Sequence, residues 1–413
     1  MVHQTINTSS SKAARASSKI KVMTRFSWIA RRALIIASAG LLVSCAVQVR
    51  APLPAPPTPP FQTTPGNALP VERPGDSGPL PAPLVQGKSR WVPVRWAELP
   101  GFENDALSEA WNAWLKSCEK PGPAFAPLCN DVRRLSISTP EEQRVWMLSR
   151  LQPYRVETPQ GASEGLLTSY YEPVLKASRQ PVAGYNVPLY RAPASLGSRK
   201  PWYTRQEIDS VPGVQALLKG REIAWLEDPI DALMLQIQGS GRLSFSEGDG
   251  SRKTVRVAFA GSNDQPYRSV NQWLLEQGVS KIHPWPEATK AWALQNPQRV
   301  NQLLWSNPRY IFFKEEAIPE ADAWCGPRGA QGVALTAGRS IAVDRESIPY
   351  GTPVWLASSG AALQLKKLVL AQDTGSAIVG AVRADYFAGT GAEAGLLASR
   401  VNQPLRLWVL WPK

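Results

Sequence analysis

Histidine is scarce in this chain. Only two of its 413 residues are histidines, and only His283 lies beyond the N-terminal segment. A zinc site needs several histidine or cysteine ligands at close spacing, and a Ser-His-Asp triad would depend on this one residue. The glycines at 389–395 lack the strand and spacing of a phosphate loop. We therefore expect neither a metal nor another cofactor, and any chemistry must fall to carboxylates.

A hydrophobic run long enough to span a membrane is also missing near the N-terminus. The uncharged stretch 33–43 has 11 residues, whereas a spanning helix needs about 20. It follows Arg25, Arg31 and Arg32 and leads to Cys45, which is typical of a secretory signal. The pattern resembles a bacterial lipoprotein signal, residues 1–45, in which Cys45 is lipidated and becomes the mature N-terminus. A short membrane anchor is the alternative.

The segment that follows, 46–90, is rich in proline. Twelve prolines lie between positions 50 and 84, and proline disfavours helix and removes backbone donors. We interpret this segment as an extended tether, with a docking ligand for a partner protein as the alternative. Ala46 is not acidic, so no inner-membrane retention signal follows the cysteine, and we expect an outer-membrane lipoprotein that faces the periplasm. Translation can start at Met1 or at Met23.

The positive charge does not predict nucleic-acid binding. The formal net charge is +13, but seven of the positive residues and no acidic residue precede Cys45, which leaves +6 for the rest. No cluster of lysine and arginine with interleaved aromatic residues is present. The remaining charge is compatible with anionic cell-wall polymers or lipid head groups.

Cysteine leaves two alternatives open. Cys118 and Cys129 lie 11 residues apart across a turn rich in proline and glycine, and in an exported protein they can form a disulfide. Equally, these two and Cys325 can be small buried hydrophobic residues.

Short apolar runs dominate the chain after position 152. Helical spacing predicts a helix over 107–118, capped by Asn104 or Asp105, and a capping box predicts another that starts at Thr139. Further helices are predicted over 270–277 and 285–305. The predicted strands are 165–171, 234–238, 254–259, 311–314, 340–343, 353–356, 365–371 and 405–411. Such frequent short strands favour β-barrels over a doubly wound sheet.

Two aspartates are the candidate catalytic groups. Asp373 follows the apolar strand 368–371, and Asp385 lies beside Tyr386 and Phe387 in a region punctuated by glycine, which we predict to be a loop. An aspartate among aromatic rings loses hydration, and its pKa rises toward that of a general acid. Both residues are alternatively turn formers or caps.

Six ordered blocks resemble the membrane-bound lytic murein transglycosylase A family. The stretch 373–391 is similar to the family's Asp-Thr/Val-Gly-Gly-Ala-Ile-x-Gly block and the catalytic aspartate that follows it. The other blocks are 167–173, 235–242, 260–269, 307–313 and 349–353. Ser169 and Ser376 stand where glycine is usual in the family, and neither change removes a carboxylate.

The resemblance implies a mainly β fold in two domains with a few helices and a glycan groove between them. A double-psi β-barrel would be assembled from a partly helical segment, 91–164, and from 315–413, with a second β-barrel domain, 165–314, inserted between them. Asp385 matches the family's catalytic aspartate, with Asp373 as its neighbour in the site. The expected glycan-binding residues are Thr168, Tyr170, Tyr171, Gln236, Gln238 and Ser240.

The activity that the resemblance implies is lytic cleavage of peptidoglycan, which leaves exo- or endo-action open. A single aspartate would protonate the oxygen between MurNAc and GlcNAc and then deprotonate the muramyl O6 as it closes onto C1. A hydrolase with two carboxylates and a non-catalytic glycan-binding lipoprotein are the alternatives. The expected partners are peptidoglycan strands, the outer membrane through the lipid anchor, and other cell-wall enzymes.

Overall fold

The computed structural model describes residues 78–280, 286–318 and 323–413. Cys45, the signal and His283 lie outside the described residues, as does most of the tether. The strands are β1 Leu84–Gln86, β2 Ser89–Pro93, β3 Leu151–Glu157, β4 Gly165–Glu172, β5 Val174–Ala177, β6 Val187–Tyr190, β7 Glu222–Leu226, β8 Ser240–Ser246, β9 Arg252–Ser262, β10 Ile311–Glu316, β11 Ser340–Val343, β12 Pro353–Ser359, β13 Gln364–Asp373, β14 Arg383–Thr390 and β15 Asn402–Pro412.

Helices are fewer and short. They are α1 Leu107–Ser117, α2 Cys129–Arg134, α3 Pro140–Arg150, α4 Arg205–Ser210, α5 Pro212–Leu218, α6 Pro229–Gln238, α7 Val270–Glu276, α8 Glu287–Gln295, α9 Val300–Trp305 and α10 Ala392–Ala398. Within the described ranges, no helix has the length and hydropathy needed to cross a membrane.

The largest sheet closes on itself. Its nine strands run in the order β1-β2-β3-β15-β12-β13-β11-β14-β4, and β4 also pairs with β15. The six strands from β15 to β4 therefore form a barrel, while β1 to β3 extend it at β15. Two of the pairs, β11 with β13 and β14 with β4, are parallel, and the other pairs in the ring are antiparallel. This confirms the predicted mainly β fold with a closed barrel.

Strand β12 and parts of β13 and β15, residues 368–372 and 407–410, are buried on both faces, which explains the apolar runs there. In β12, Val354 and Leu356 point into the barrel core, whereas Trp355 belongs to a second core outside it. Strand side chains alternate between faces, so one unbroken run serves both cores. The outer core is completed by helices α1 to α3, whose Trp111 and Trp114 are fully buried.

The ends of these helices confirm one predicted cap, contradict another, and decide between the two alternatives for Cys118 and Cys129. Thr139 caps α3 in a reciprocal capping box with Glu142, as predicted. Asp105 does not cap α1, since its carboxylate pairs with buried Arg339 at 2.8 Å and accepts the backbone N–H of Leu368 at 2.8 Å. A disulfide joins Cys118, directly after α1, to Cys129 at the start of α2.

The segment from β5 to β10 forms a separate β structure. Strands β10, β9, β8 and β5 make a four-stranded sheet, and β6 pairs with β7. A bridge between Ser178 and Trp225 joins the two sheets, and one core receives side chains from all six strands and from α6. Strand β4, which opens the predicted inserted segment, belongs to the nine-stranded sheet.

One secondary-structure prediction in this segment was wrong, and another was confirmed only in part. The run 234–238, predicted as a strand, forms the last turns of α6, which starts at Pro229 after the N-cap Asp228. A short apolar run does not distinguish a buried helix from a strand, and the cap and proline were the better signals. The predicted helix 285–305 is interrupted where Pro297 follows α8, and it resumes as α9.

Candidate active site

The two candidate aspartates lie in one row of paired residues across the barrel. Ala342 of β11 is paired with Asp373 of β13 on one side and with Asp385 of β14 on the other. Asp385 is in turn paired with Thr168 of β4. Paired residues point to the same face of a sheet, and neighbouring strands are about 4.8 Å apart, so the two aspartate backbones are about 10 Å apart.

Asp385 lies within strand β14, so the predicted loop at this position was wrong. The Thr168 hydroxyl donates a hydrogen bond to its Oδ1 at 2.5 Å, and Arg383 donates to the same hydroxyl at 2.7 Å. Burial raises the pKa of Asp385, and the Thr168 hydrogen bond and the Arg383 charge counter part of that rise. The carboxyl is thus closer to protonation near neutral pH than an ordinary aspartate.

Asp373 is held more tightly, at the end of β13. Its Oδ1 accepts the backbone N–H groups of Ala330 and Thr374, both at 2.9 Å, and its Oδ2 accepts the Tyr170 hydroxyl at 2.9 Å. Burial outweighs these three donors and raises the pKa of Asp373 to about 6. The backbone around Ala330 can lie this close to β13 because the preceding residue is Gly329. A Cβ at position 329 would lie 2.5 Å from the carbonyl oxygen of Gln372.

A cavity of about 610 Å³ opens over this row. One wall comes from the barrel, with Asp373, Asp385 and Ala342, and the other comes from the β5–β10 segment. The lining from that segment includes Arg205, Gln236, Gln238, Ser240, Phe259, Tyr267 and Arg309. Ala342 carries only a methyl group between the two carboxylates, which leaves space above both of them.

The structure brings four of the six predicted glycan-binding residues to the cavity. Tyr170, Gln236, Gln238 and Ser240 line it. Thr168 lies beside Asp385, as its hydrogen-bond partner. Tyr171 is on the other face of β4, where its ring packs against Gly395 of α10 and its backbone N–H binds the side chain of Gln238 at 3.0 Å.

The two serines that replace family glycines differ in their surroundings. Ser169 donates its hydroxyl to the carbonyl of Tyr386 at 2.7 Å, which links β4 to β14 next to the aspartate. Ser376 lines the cavity itself.

Sequence reasoning missed three residues of the cavity wall. Phe259 is 51% exposed on β9 and offers an aromatic face to a sugar. Tyr267 lies near enough to Asp385 for that charge to raise its pKa, in addition to burial. Arg205, the first residue of α4, is only 4% exposed. The block 260–269, which resembles a block of the family, contains Tyr267, but no signal in the sequence indicated Arg205.

Metal-ligating side chains do not gather in this cavity. In the described part of the chain, no group of three histidine, cysteine, aspartate or glutamate residues lies at metal-binding distance. The chemistry of the site is that of two carboxyls with raised pKa values and their hydroxyl and amide neighbours.

Comparisons with known proteins agree with this arrangement. A family model for the MltA specific insert domain matches residues 166–314, and one for the 3D domain matches residues 339–411. Membrane-bound lytic murein transglycosylase A of Vibrio cholerae is 32% identical over 257 residues, which cover 59% of this chain and 65% of that protein. The match therefore spans just under two thirds of that relative.

Solved structures extend the likeness. A lytic transglycosylase of Burkholderia pseudomallei, LtgG, is 40% identical, with a TM-score of 0.55 over 81% of this chain and 100% of that chain. MltA from Neisseria gonorrhoeae is 28% identical, with a TM-score of 0.66 over 83% of this chain and 97% of that chain. The fold is thus the two-domain β fold of these lytic transglycosylase structures. The chain belongs to the membrane-bound lytic murein transglycosylase A family.

Proposed function

We propose that this protein is a lytic transglycosylase that cleaves the β-1,4 bond between MurNAc and GlcNAc in peptidoglycan and leaves 1,6-anhydromuramyl ends. The observation that carries the proposal is the position of Asp385: a carboxyl with a raised pKa at the floor of a groove, in one row with Asp373. A protonated carboxyl at this place can donate its proton to the glycosidic oxygen.

One aspartate can serve both steps of this reaction. Asp385 first protonates the leaving oxygen, and its carboxylate then takes the proton from the muramyl O6 hydroxyl as O6 closes onto C1. The nucleophile belongs to the substrate, so no carboxylate has to activate a water molecule. Holding O6 close to C1 contributes several kcal/mol to lowering the barrier, on the order of what other intramolecular reactions gain.

Asp373 then acts as the electrostatic partner. Its carboxylate, fixed by Ala330, Thr374 and Tyr170, faces the same cavity and stabilises the positive charge that develops at C1. A two-carboxylate hydrolase would instead use Asp373 to activate water or attack C1. The three hydrogen bonds favour the electrostatic role, because they engage both Asp373 oxygens and restrict the movement of the carboxylate.

The test is product analysis. Purified murein is incubated in chelator with the soluble chain from about position 78 onward, and the products are identified by mass spectrometry. We expect anhydromuropeptides, 18 Da lighter than their hydrolytic counterparts because no water is added. Reducing-end products in their place would identify a hydrolase, and unaltered murein would favour a non-catalytic glycan-binding protein. Full activity in chelator is expected, since no cofactor is proposed.

We further propose that Cys45 is lipidated and anchors the protein in the outer membrane, facing the periplasm. The support is the sequence pattern of 1–45 and the proline-rich stretch between it and β1, which at about 3 Å per residue is long enough to extend on the order of 100 Å. In this organisation the segment 165–314 is the inserted domain, and 91–164 and 315–413 form the first domain. Cys45→Ser should move the protein to the soluble fraction, and unchanged membrane fractionation would contradict the anchor.

A further inference from the structure

Arg205 is a buried cation with no carboxylate in direct contact, although Asp209 of the same helix lies close enough to attract its charge. Its Nε donates to the carbonyl of Asn307 at 3.0 Å. Its Nη2 donates to the side chain of Gln236 at 2.6 Å and to the carbonyl of Arg309 at 2.7 Å. The guanidinium also lies 5.0 Å from the centre of the Tyr310 ring. All of these partners are neutral, so the positive charge is not compensated by direct contact.

One end of this guanidinium remains available. Among the described residues, no hydrogen bond involves Nη1 of Arg205, while the residue lines the cavity. Asp209 offsets only part of the cost of burying this charge, since burial still lowers the pKa of Arg205, and an anionic ligand in direct contact would offset more of it. Because Arg205 reaches the cavity, Nη1 is the atom such a ligand would contact.

Arg309 presents a second cation at the same wall. It is half-buried and lines the cavity, and its Nη1 donates to the carbonyl of Gln265 at 3.1 Å. Neither arginine makes a salt bridge within 4.0 Å to any acidic residue of the described ranges. Two arginines with no carboxylate in direct contact thus face a cavity whose opposite wall carries Asp373 and Asp385.

We propose that Arg205 and Arg309 form a carboxylate-binding site on the groove wall, which recognises the acidic substituent of the muramyl sugar. This inference rests on the proposed function. Of the two sugars, only MurNAc carries an acidic substituent, either a free lactyl carboxylate or the carboxylates of a stem peptide attached to the lactyl group. Arginine binds carboxylates through two parallel hydrogen bonds, which suits this role.

Two aspartates and two arginines would also orient the sugar, within a lining that contains the further charged residues Lys120, Lys314, Glu316 and Arg328. Asp373 and Asp385 repel an acidic substituent, whereas Arg205 and Arg309 attract it. The muramyl residue would therefore enter with its lactyl side toward the β5–β10 segment. GlcNAc is neutral and gains nothing from this wall, so the site distinguishes muramyl polymers from chitin oligomers.

Binding measurements with three glycans test the proposal. The mature chain is made in an Asp385→Asn background so that glycans are not cleaved. The probes are chitohexaose, which is neutral; peptide-free glycan strands, which carry only lactyl carboxylates; and peptide-bearing glycan strands. When Arg205 and Arg309 are both unchanged, we expect the two anionic probes to bind more tightly than chitohexaose. Raised salt concentration should reduce that preference.

Two wall variants are compared with one control. Arg309→Gln removes one charge, and Arg205→Lys retains donors for the buried carbonyls but loses the guanidinium fork. Arg268→Gln is the matched control, since Arg268 is exposed in the neighbouring loop and does not line the cavity. Each wall variant should weaken binding of an anionic probe about tenfold and leave chitohexaose within about twofold, as expected for loss of a charged hydrogen bond. The control should change neither.

The pattern over the probes decides the outcome. If the wall variants weaken binding of the peptide-free strands alone, the site binds the free lactyl carboxylate. If they weaken binding of the peptide-bearing strands alone, the site binds the stem peptide. Either result supports the site. Equal effects on all three probes, or none in a folded Arg309→Gln protein, would overturn it. Anhydromuropeptide production by the protein with Asp385 intact is measured in parallel, so failure of this inference is distinguished from failure of the proposed function.

Discussion

At the scale of single residues, the protonation of Asp385 depends on a short chain of hydrogen bonds. Arg383 donates to Thr168, and Thr168 donates to Asp385. A hydrogen bond to the charged form of a carboxyl lowers its pKa, so Thr168 limits the rise that burial causes. The side chain that was expected to bind glycan is thus a positioning residue for the candidate acid.

Thr168→Val should test this role, because valine keeps the shape and removes the donor. We expect kcat to fall about tenfold and the pH optimum to move upward, since the pKa of Asp385 rises further without the hydrogen bond. Thr168→Ser retains the hydroxyl and should keep the wild-type pH profile. A Thr168→Val enzyme with an unshifted profile would assign Thr168 a purely structural role.

The raised pKa of Asp373 predicts how the stability of the protein depends on pH. Its pKa is about 6 in the folded protein, above its ordinary value of 3.8, so the folded state holds its proton more tightly than the unfolded state does. Asp373 therefore makes its full contribution to stability when the pH is below its pKa in the unfolded state, and this contribution is lost as pH rises through about 6. Asparagine does not ionise, so the Asp373→Asn variant does not lose stability in this way. The melting temperature of the variant relative to wild type should therefore increase between about pH 4 and about pH 7.

A surface aspartate provides the control for this measurement. Asp249 lies in an exposed turn, and hydrogen bonds with Ser251 lower its pKa. Asp249→Asn should not reproduce the relative increase over the same pH range. A difference between Asp373→Asn and wild type that does not change with pH would contradict the raised pKa of Asp373.

At the scale of secondary-structure elements, a buried charge cluster joins the barrel to the β5–β10 segment. Glu172, fully buried at the end of β4, accepts hydrogen bonds from Arg242 of β8 at 2.8 Å and Arg256 of β9 at 2.5 Å. Thr390 of β14 donates to the same carboxylate at 2.8 Å, and both arginines also donate to the carbonyl of Cys325. This cluster fixes the two walls of the groove relative to each other.

Glu172→Gln should be strongly destabilising, because it leaves two buried arginines without a counter-ion. We expect a loss of about 3 kcal/mol in the free energy of unfolding, measured by urea denaturation. Glu315→Gln is the matched control, since its partner Arg179 is exposed and surface pairs contribute about 1 kcal/mol or less. Equal effects of the two substitutions would show that the cluster adds no more than a surface pair.

The disulfide secures the helical layer that covers the outer core. Cys118 and Cys129 close an 11-residue separation between α1 and α2. Replacing both cysteines with alanine should lower the free energy of unfolding by about 3 kcal/mol, as expected for a loop of this size. Reductant should lower the melting temperature of wild type and leave that of the double variant unchanged. A reductant effect of the same size on both proteins would contradict this assignment.

At the scale of the whole molecule, the sequence predicted more of the fold than of the site. The apolar runs 353–356 and 368–371 predicted strands, and the structure shows why these runs are uninterrupted, since β12 and this part of β13 bury both faces. Glycine near Asp385 obscured strand β14. The row that joins Asp373, Ala342, Asp385 and Thr168 depends on pairing between strands far apart in sequence, which local patterns do not encode.

Arg205 is a second case in which local sequence patterns do not reveal a residue of the groove. Its partners lie 31 to 104 residues away, so nothing near position 205 distinguishes it from a surface arginine. The groove is lined by residues of the barrel and of the β5–β10 segment, which lie far apart in sequence, so local sequence patterns do not reveal it.

The most direct test of the account is the activity of Asp385→Asn on purified murein, measured as anhydromuropeptides by mass spectrometry. Asparagine keeps the shape of the side chain but cannot donate a proton to the glycosidic oxygen or accept one from O6. Loss of general acid–base catalysis typically costs about 10²–10⁴ in rate, and because one residue performs both steps we expect the upper end or more. Chitohexaose binding and the melting temperature should stay close to wild type. A folded Asp385→Asn protein that retains more than about a tenth of wild-type activity, far above that range, would remove Asp385 from the mechanism.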